Sequence, residues 1–375
     1  MDELKRDIST IIKYPIENID DIDTLVEYSI DILSLLYDKK FVKKYIYKGL
    51  IKQFIAELRP DLYGSIYNHF ITKDHSVTVE HLQKIPQFEQ RTPAWFKFRQ
   101  NNIGASEAAI IFGKSIFSNE KKLLLKKCGH KIPFVSNPAC QHGTKYEPIV
   151  QLLYQIKNRV KLFEFGSIAH PEYSMISASP DGITETGVMV EIKVPYKRLI
   201  TGGPPIYYWY QMQQQMQVCN LDRVDFVECD IKEYFNKKLF LADSQDKDGI
   251  FNTNGDVKNV LLEIFKEVSP GVQDVDWIYP DRLLTTDEID GWISEQLKII
   301  EKAPNISMAK EIYFKVNTYS SFTVWRDDAW WDNNRQKYID FWNTVKQYKK
   351  NGYDHLLVKK PRTRKVRIPK CLIED

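Results

Sequence analysis

The sequence predicts an α/β fold, a mixed central sheet flanked by helices, with a helical lobe ahead of it. Three observations carry that expectation. Residues up to about 85 show apolar spacing of helical period, and from Gln87 onward helical and strand patterns alternate. Residues 177–195 read as a hairpin whose second strand alternates: Val190, Ile192 and Val194 on one face, Met189, Glu191 and Lys193 on the other.

The chain has 375 residues, enough for two domains or for one large domain with an added lobe. Composition divides it into a helical accessory lobe (1–85), a core (86–300) and an aromatic C-terminal segment with a basic tail (301–375). The formal net charge of +3 points to no particular partner. No apolar run approaches the length of a membrane span, and the N-terminal stretch has no signal-peptide pattern. The five cysteines, Cys128, Cys140, Cys219, Cys229 and Cys371, lack CxxC spacing, which argues against a disulfide framework and a zinc or iron–sulfur site. The expectation is a soluble, intracellular protein with no membrane partner.

In the lobe, Ile22, Leu25, Ile32, Leu35 and Leu36 fall mostly at helical spacing. Residues 41–58 mix Tyr, Ile and Leu with Lys43, Lys44, Lys48 and Lys52, read as a solvated helix face. Further on, Trp95 and Phe98 at i,i+3 predict a helix with Arg99 at its end. Residues 104–107 then form a turn in which Ser106 caps a helix over 107–112. A helix start with a hydroxyl and a nearby arginine suits a phosphate, although a plain cap and a surface ion pair explain the same residues.

Residues 141–154 read as a helix, with Glu147 in its first half because Pro148 fits best near a helix start. After the hairpin, a Gly-Gly-Pro-Pro turn at 202–205 leads to a helix over 207–219. Its period puts Gln213 and Gln217 on one face, Gln211 and Gln215 on another. Residues 224–231 alternate as a strand, with 238–242 as its expected neighbour. Thr285 and Glu288 are spaced as a capping box opening a helix through Ile300. Trp330 and Trp331 are assigned to packing. The basic tail, residues 359–370, is equally a contact for phosphate backbones and a solubilising end.

The chemistry concentrates on the hairpin. Asp181 and Glu191, with the backbone carbonyl of Ile192, offer hard oxygen ligands suited to Mg²⁺, with Mn²⁺ as an alternative. Glu147 completes a set for one or two ions. Lys193 would orient or deprotonate a water, or stabilise charge on the phosphate. Without a cation, a buried carboxylate–lysine cluster is costly.

These residues resemble the PD-(D/E)xK nuclease superfamily and, within it, the lambda exonuclease / YqaJ-like viral recombinase family of alkaline exonucleases. The resemblance covers roughly residues 90–235. It rests on Trp95 and Arg99 followed by Gly104 to Glu107, and on Gly143 with Glu147. It rests also on Ser179 to Gly182 followed by Glu191, Lys193 and Pro195, and on Gln211, Gln213 and Met216. It implies a restriction-endonuclease-like core and a Mg²⁺-dependent 5′→3′ exonuclease degrading one strand of linear duplex DNA, in viral-type recombination, repair or genome processing. By it, Glu147, Asp181 and Glu191 become metal ligands, Lys193 the catalytic lysine and Gln213 an active-site glutamine. Arg99, Ser106 and Ser179 would hold the 5′-phosphate. Arg198 stands nearest to the arginine the family places after the Glu-x-Lys strand, one residue displaced.

The implied partners are double-stranded DNA ends and a single-strand annealing recombinase. The oligomer would be a monomer or a ring-shaped trimer, and the location the host-cell cytoplasm or nucleus where viral DNA replicates. Two other readings are an endonuclease of the same superfamily and a non-catalytic DNA-binding recombination module.

Overall fold

The computed structural model describes residues 74–88, 92–130, 137–200, 203–244, 248–269, 272–303 and 305–357. Nearly all of the expected N-terminal lobe, the basic tail and Cys371 lie outside the described residues.

The elements run α1 (Ser76–Lys84), α2 (Pro93–Gln100), β1 (Ile103–Gly104), a 3₁₀ turn (Ala105–Glu107), α3 (Ala108–Ile111), α4 (Glu120–Lys127) and α5 (Pro138–Asn158). The short strands β2 (Leu162–Phe163), β3 (Ile168–Ala169), β4 (Ile176–Ala178) and β5 (Gly182–Thr184) precede β6 (Met189–Lys193). Then follow α6 (Ile206–Cys219), β7 (Arg223–Glu233), α7 (Lys237–Ala242), β8 (Lys258–Ser269) and β9 (Val272–Ile278). The last are α8 (Thr286–Ile300), β10 (Ile306–Trp325), α9 (Asp328–Asn351) and α10 (Asp354–Leu357).

The main sheet has the order β2-β5-β6-β7-β10-β8-β9. It is mixed: β6 and β7 pair in parallel, while β5–β6, β7–β10, β10–β8 and β8–β9 are antiparallel. A parallel pair needs a crossover, and α6 supplies it. A smaller sheet, β1-β4-β3, sets Gly104 opposite Ser177 through a parallel β1–β4 pair.

Alternation in β6 works as its sequence predicts. Val190, Ile192 and Val194 pack with Val227, Cys229 and Ile231 of β7 and with Tyr146, Ile149, Val150 and Leu153 of α5. On the other face Met189 joins Val224 and Phe226 of β7, Trp209, Met212 and Met216 of α6, and Trp330 and Trp331 of α9. Each fully buried side chain of this size contributes about 1.5–3 kcal/mol. Because helices cover both faces, Glu191 on β6 is fully buried. The tryptophans pack as the sequence suggests, and Thr285 with Glu288 forms the expected capping box before α8.

Three expectations need correcting. Residues 237–242 form a helix, not a strand beside β7. Asn236 accepts the Leu239 N–H at 2.9 Å as its cap, and the single buried residue, Phe240, needs only one turn to reach the core. The neighbours of β7 are β6 and β10. Pro148 lies well inside α5, which begins ten residues earlier at Pro138, where Asn137 caps it by accepting the Cys140 N–H at 2.9 Å. Packing of Tyr146, Ile149, Val150 and Leu153 outweighs the helical hydrogen bond the proline removes. Finally, the boundary expected at 300 is followed at once by β10, which pairs with both β7 and β8, so residues 306–325 complete the sheet.

Candidate active site

The β5–β6 hairpin holds the acids. Asp181 stands just ahead of β5, and its Oδ2 accepts the Ile192 N–H at 2.8 Å across the hairpin. From α5, Gln151 Nε2 donates to the Asp181 carbonyl at 2.7 Å. The Glu191 carboxylate accepts from Gln211 Nε2 and Gln215 Nε2, each at 2.6 Å, and pairs with the Lys193 ammonium. Lys193 Nζ also donates to the Ile192 carbonyl at 3.0 Å and stands 3.9 Å from Asp181 Oδ2.

The electrostatics follow from crowding. Burial and the Glu191 and Glu147 carboxylates push the Asp181 carboxyl well above its ordinary range, against the pull of Lys193 and the Ile192 N–H. Burial alone would lower the Lys193 ammonium, but Glu191 and Asp181 outweigh it and hold the group above its ordinary value. Lys193 is therefore protonated at neutral pH.

These donors fit a divalent cation. An ammonium already sits within hydrogen-bond or ion-pair reach of the oxygens of Asp181, Glu191 and Ile192 expected to ligate it. Among the described residues no three His, Cys, Asp or Glu side chains form a ready metal cage. The converging set is two carboxylates and a peptide carbonyl. Glu147, on α5, acts on Asp181 through its charge.

The glutamine helix corrects one expectation. Gln213 is fully buried and turned from the acids: its Nε2 donates to the Trp325 carbonyl at 2.8 Å, and its Oε1 accepts the Asp327 N–H at 2.8 Å. The pair on the adjacent face, Gln211 and Gln215, reaches Glu191 instead. Gln214 ties α6 to the small sheet, donating to the Ile103 carbonyl at 2.9 Å and the Ser177 carbonyl at 2.8 Å. Gln211→Ala is expected to lower kcat with little change in KM, because it frees the Glu191 carboxylate to reorient. Gln213→Ala is expected to lower melting temperature more than it lowers kcat per folded molecule. Steady-state kinetics alongside thermal melts check both.

At the other corner the structure brings Arg99 and Ser106 together. Arg99 Nη2 donates to Ser106 Oγ at 3.4 Å, with the guanidinium 4.5 Å over the Trp95 ring. Ser106 is not the cap expected of it. The Glu107 carboxylate accepts the Gly104 N–H at 3.0 Å across the 3₁₀ turn, no side chain caps α3, and the serine hydroxyl accepts from Arg99. Among the described residues Ser179 makes no hydrogen bond to either. Arg198 is engaged with the buried Glu228, which lies opposite Lys193 in the β6–β7 register.

A residue that sequence reasoning missed fixes this corner. Lys127 is fully buried at the end of α4, and its Nζ reaches the Arg99 carbonyl at 2.7 Å, the Asn102 carbonyl at 2.5 Å and Glu107 Oε2 at 2.6 Å. Burial pulls its ammonium down to about 8 despite Glu107. Lys127→Met is expected to cost roughly 3 kcal/mol, since it removes the one fully buried cation paired with the buried Glu107 and leaves the more exposed Lys126 as its ion-pair partner. Adding Glu107→Leu should return part of that loss in urea unfolding.

A mixed sheet with a parallel β6–β7 pair, flanked by helices, carries the Asp…Glu-x-Lys hairpin. Residues 94–222 match the family model of the YqaJ-like viral recombinase domain. The chain is 29% identical over 315 residues to an uncharacterized protein of Acanthamoeba polyphaga mimivirus, covering 76% of this chain and 57% of that one. It therefore spans little more than half the length of that relative. It is similar to an alkaline exonuclease from Laribacter hongkongensis at 19% identity and a TM-score of 0.41, over 69% of this chain and 95% of that one. A phage-related exonuclease from Haemophilus somnus matches at 13% identity and a TM-score of 0.34, over 68% and 95%. Among the described residues no helix is long and apolar enough to cross a membrane.

Proposed function

We propose that this chain is a metal-dependent exonuclease that degrades one strand of linear double-stranded DNA in the 5′→3′ direction from a 5′-phosphorylated end. The observation that carries the reading is the convergence of Asp181, Glu191 and the Ile192 carbonyl on the Lys193 ammonium. Those three would hold Mg²⁺ or Mn²⁺, with Glu147 adding negative charge, and the bound ion supplies Lewis-acid stabilisation of the scissile phosphate.

The chain's own residues do the rest. Lys193, next to the acids, stabilises negative charge building on the phosphate oxygens or orients the attacking water. Gln211 and Gln215 fix the orientation of the Glu191 carboxylate, as outer-shell donors do for ligands. Arg99 and the Ser106 hydroxyl bind the terminal phosphate, whose two or more free oxygens suit the guanidinium fork. Gln214 links the two corners, since it holds the strand that follows Arg99 and the strand that leads to Asp181. The proposed partners are duplex ends and a single-strand annealing recombinase.

Duplexes labelled at either end, with and without a 5′-phosphate, test the reading beside closed circular DNA. The expected result is Mg²⁺-dependent release of label from the 5′ end, faster with the phosphate, and an intact circle. Cutting of the circle would instead identify an endonuclease. Binding to DNA without any cleavage would identify a non-catalytic module.

A further inference from the structure

Between α3 and α4 the chain makes a turn, residues 112–119, that holds two large apolar side chains in solvent. Ile116 is 72% exposed and Phe117 70%. The exposure is built in. Ser115 Oγ accepts the Phe117 N–H at 3.2 Å and the Ser118 N–H at 3.3 Å, and Asn119 caps α4 by accepting the Lys122 N–H at 3.0 Å. Polar groups thus set the turn, and neither apolar side chain belongs to a core cluster. Two adjacent hydrophobes left this exposed gain little from folding, which points to a contact made outside the chain.

Their position says which contact. Phe117 meets the Tyr207 ring edge-on at 5.3 Å, Tyr207 meets Tyr208 at 4.5 Å, and the Tyr208 ring lies 5.1 Å from Lys193 Nζ. An unbroken row of rings therefore leads from the candidate cleavage centre to the tip of the turn. Two side chains fall far short of the roughly 800 Å² per partner of a stable protein interface. They do match the size of a base step, where Phe and Ile wedges insert and where aromatic rings stack on bases of any sequence. We propose that Ile116 and Phe117, backed by Tyr207, form a prong that packs on the nucleobases next to the scissile phosphate. The proposal rests on the nuclease reading above.

Phe117→Ala and Ile116→Ser test it, with Phe117→Trp as the conservative variant. Both positions are exposed, so all three variants should melt with the wild type. The probe is a 5′-phosphorylated duplex carrying 2-aminopurine at the first, second or third nucleotide, titrated in EDTA and again with Ca²⁺. Wild-type protein is expected to change the fluorescence at one or more of these positions. Phe117→Ala should lose that change and bind at least about fivefold more weakly, the loss of one stacked base, and Phe117→Trp should restore both. If Phe117→Ala and Ile116→Ser bind with wild-type affinity and fluorescence while the wild type binds and digests DNA, the prong alone is overturned. If the wild type binds no duplex end under either condition, the nuclease reading falls and the prong with it.

Discussion

Asp181→Asn is expected to lower DNA cleavage by roughly 10³-fold or more and at the same time to make the protein harder to melt. The first effect follows from removing one of the two carboxylates that converge on Lys193, since metal-assisted charge stabilisation is worth several kcal/mol. The second follows from the direction of the Asp181 shift. A carboxyl held above its unfolded value, by burial and by Glu191 and Glu147, costs stability whenever it is ionised. That cost is fully present above the folded-state value and disappears as pH falls toward the unfolded value, near 3.8. Asparagine keeps an oxygen for the Ile192 N–H and carries no charge. The gain in melting temperature should therefore be largest at neutral pH and shrink in acid. Each kcal/mol shows as about 2–4 °C in a domain of this size. Mg²⁺ should raise the melting temperature of the wild type and leave Asp181→Asn nearly unmoved, because only binding to the folded state stabilises it. Equal melting temperatures at pH 7, or cleavage that survives the substitution, would remove Asp181 from the site.

Arg99→Ala is expected to erase the preference for 5′-phosphorylated ends and to spare cleavage of 5′-hydroxyl ends. A charge-assisted hydrogen bond to phosphate is worth about 1.5–3 kcal/mol, or roughly 10- to 150-fold in the ratio of the two kcat/KM values. Ser106→Ala should fall between wild type and Arg99→Ala, since the hydroxyl supplies a single bond. Arg99→Lys should recover only part of the ratio, because an ammonium lacks the planar fork and fits the Trp95 face less well. Parallel loss on both kinds of end would mean that Arg99 serves general DNA binding and not the terminus.

The hairpin was legible from sequence because strand alternation is short-range: once residues 189–194 are a strand, the faces of Glu191, Lys193 and Ile192 are settled. Helical period likewise sorted the glutamines, Gln211 with Gln215 and Gln213 with Gln217. Which pair meets Glu191 depends on how α6 is rotated as it crosses from β6 to β7, and nothing local fixes that rotation. The i,i+4 pair beside a buried carboxylate was the available signal. Lys127 was hidden for the same reason. A lysine in a run of Lys and Leu reads as solvated, and only the tertiary approach of Arg99, Asn102 and Glu107 gives it three partners. Pro148 misled because its helix takes a start signal, Asn137 followed by Pro138, ten residues upstream. The long strand β10 was missed because Lys310, Glu311, Asn317, Ser320 and Ser321 interrupt any simple apolar pattern.

The placement of β10 orders the way the chain is completed. β7, against which the Glu191 strand lies, has its other edge covered by residues 314–325 and, among the described residues, by nothing earlier in the sequence. During synthesis the hairpin, α6 and β7 emerge first, and β7 remains an open edge for some eighty residues while β8, β9 and α8 are made. The sheet closes only when the last long strand slides between β7 and β8, a late, long-range pairing of the slow kind. A nascent chain therefore carries Asp181 and Glu191 well before it has the frame that holds them, and β10 sets the moment at which that frame closes.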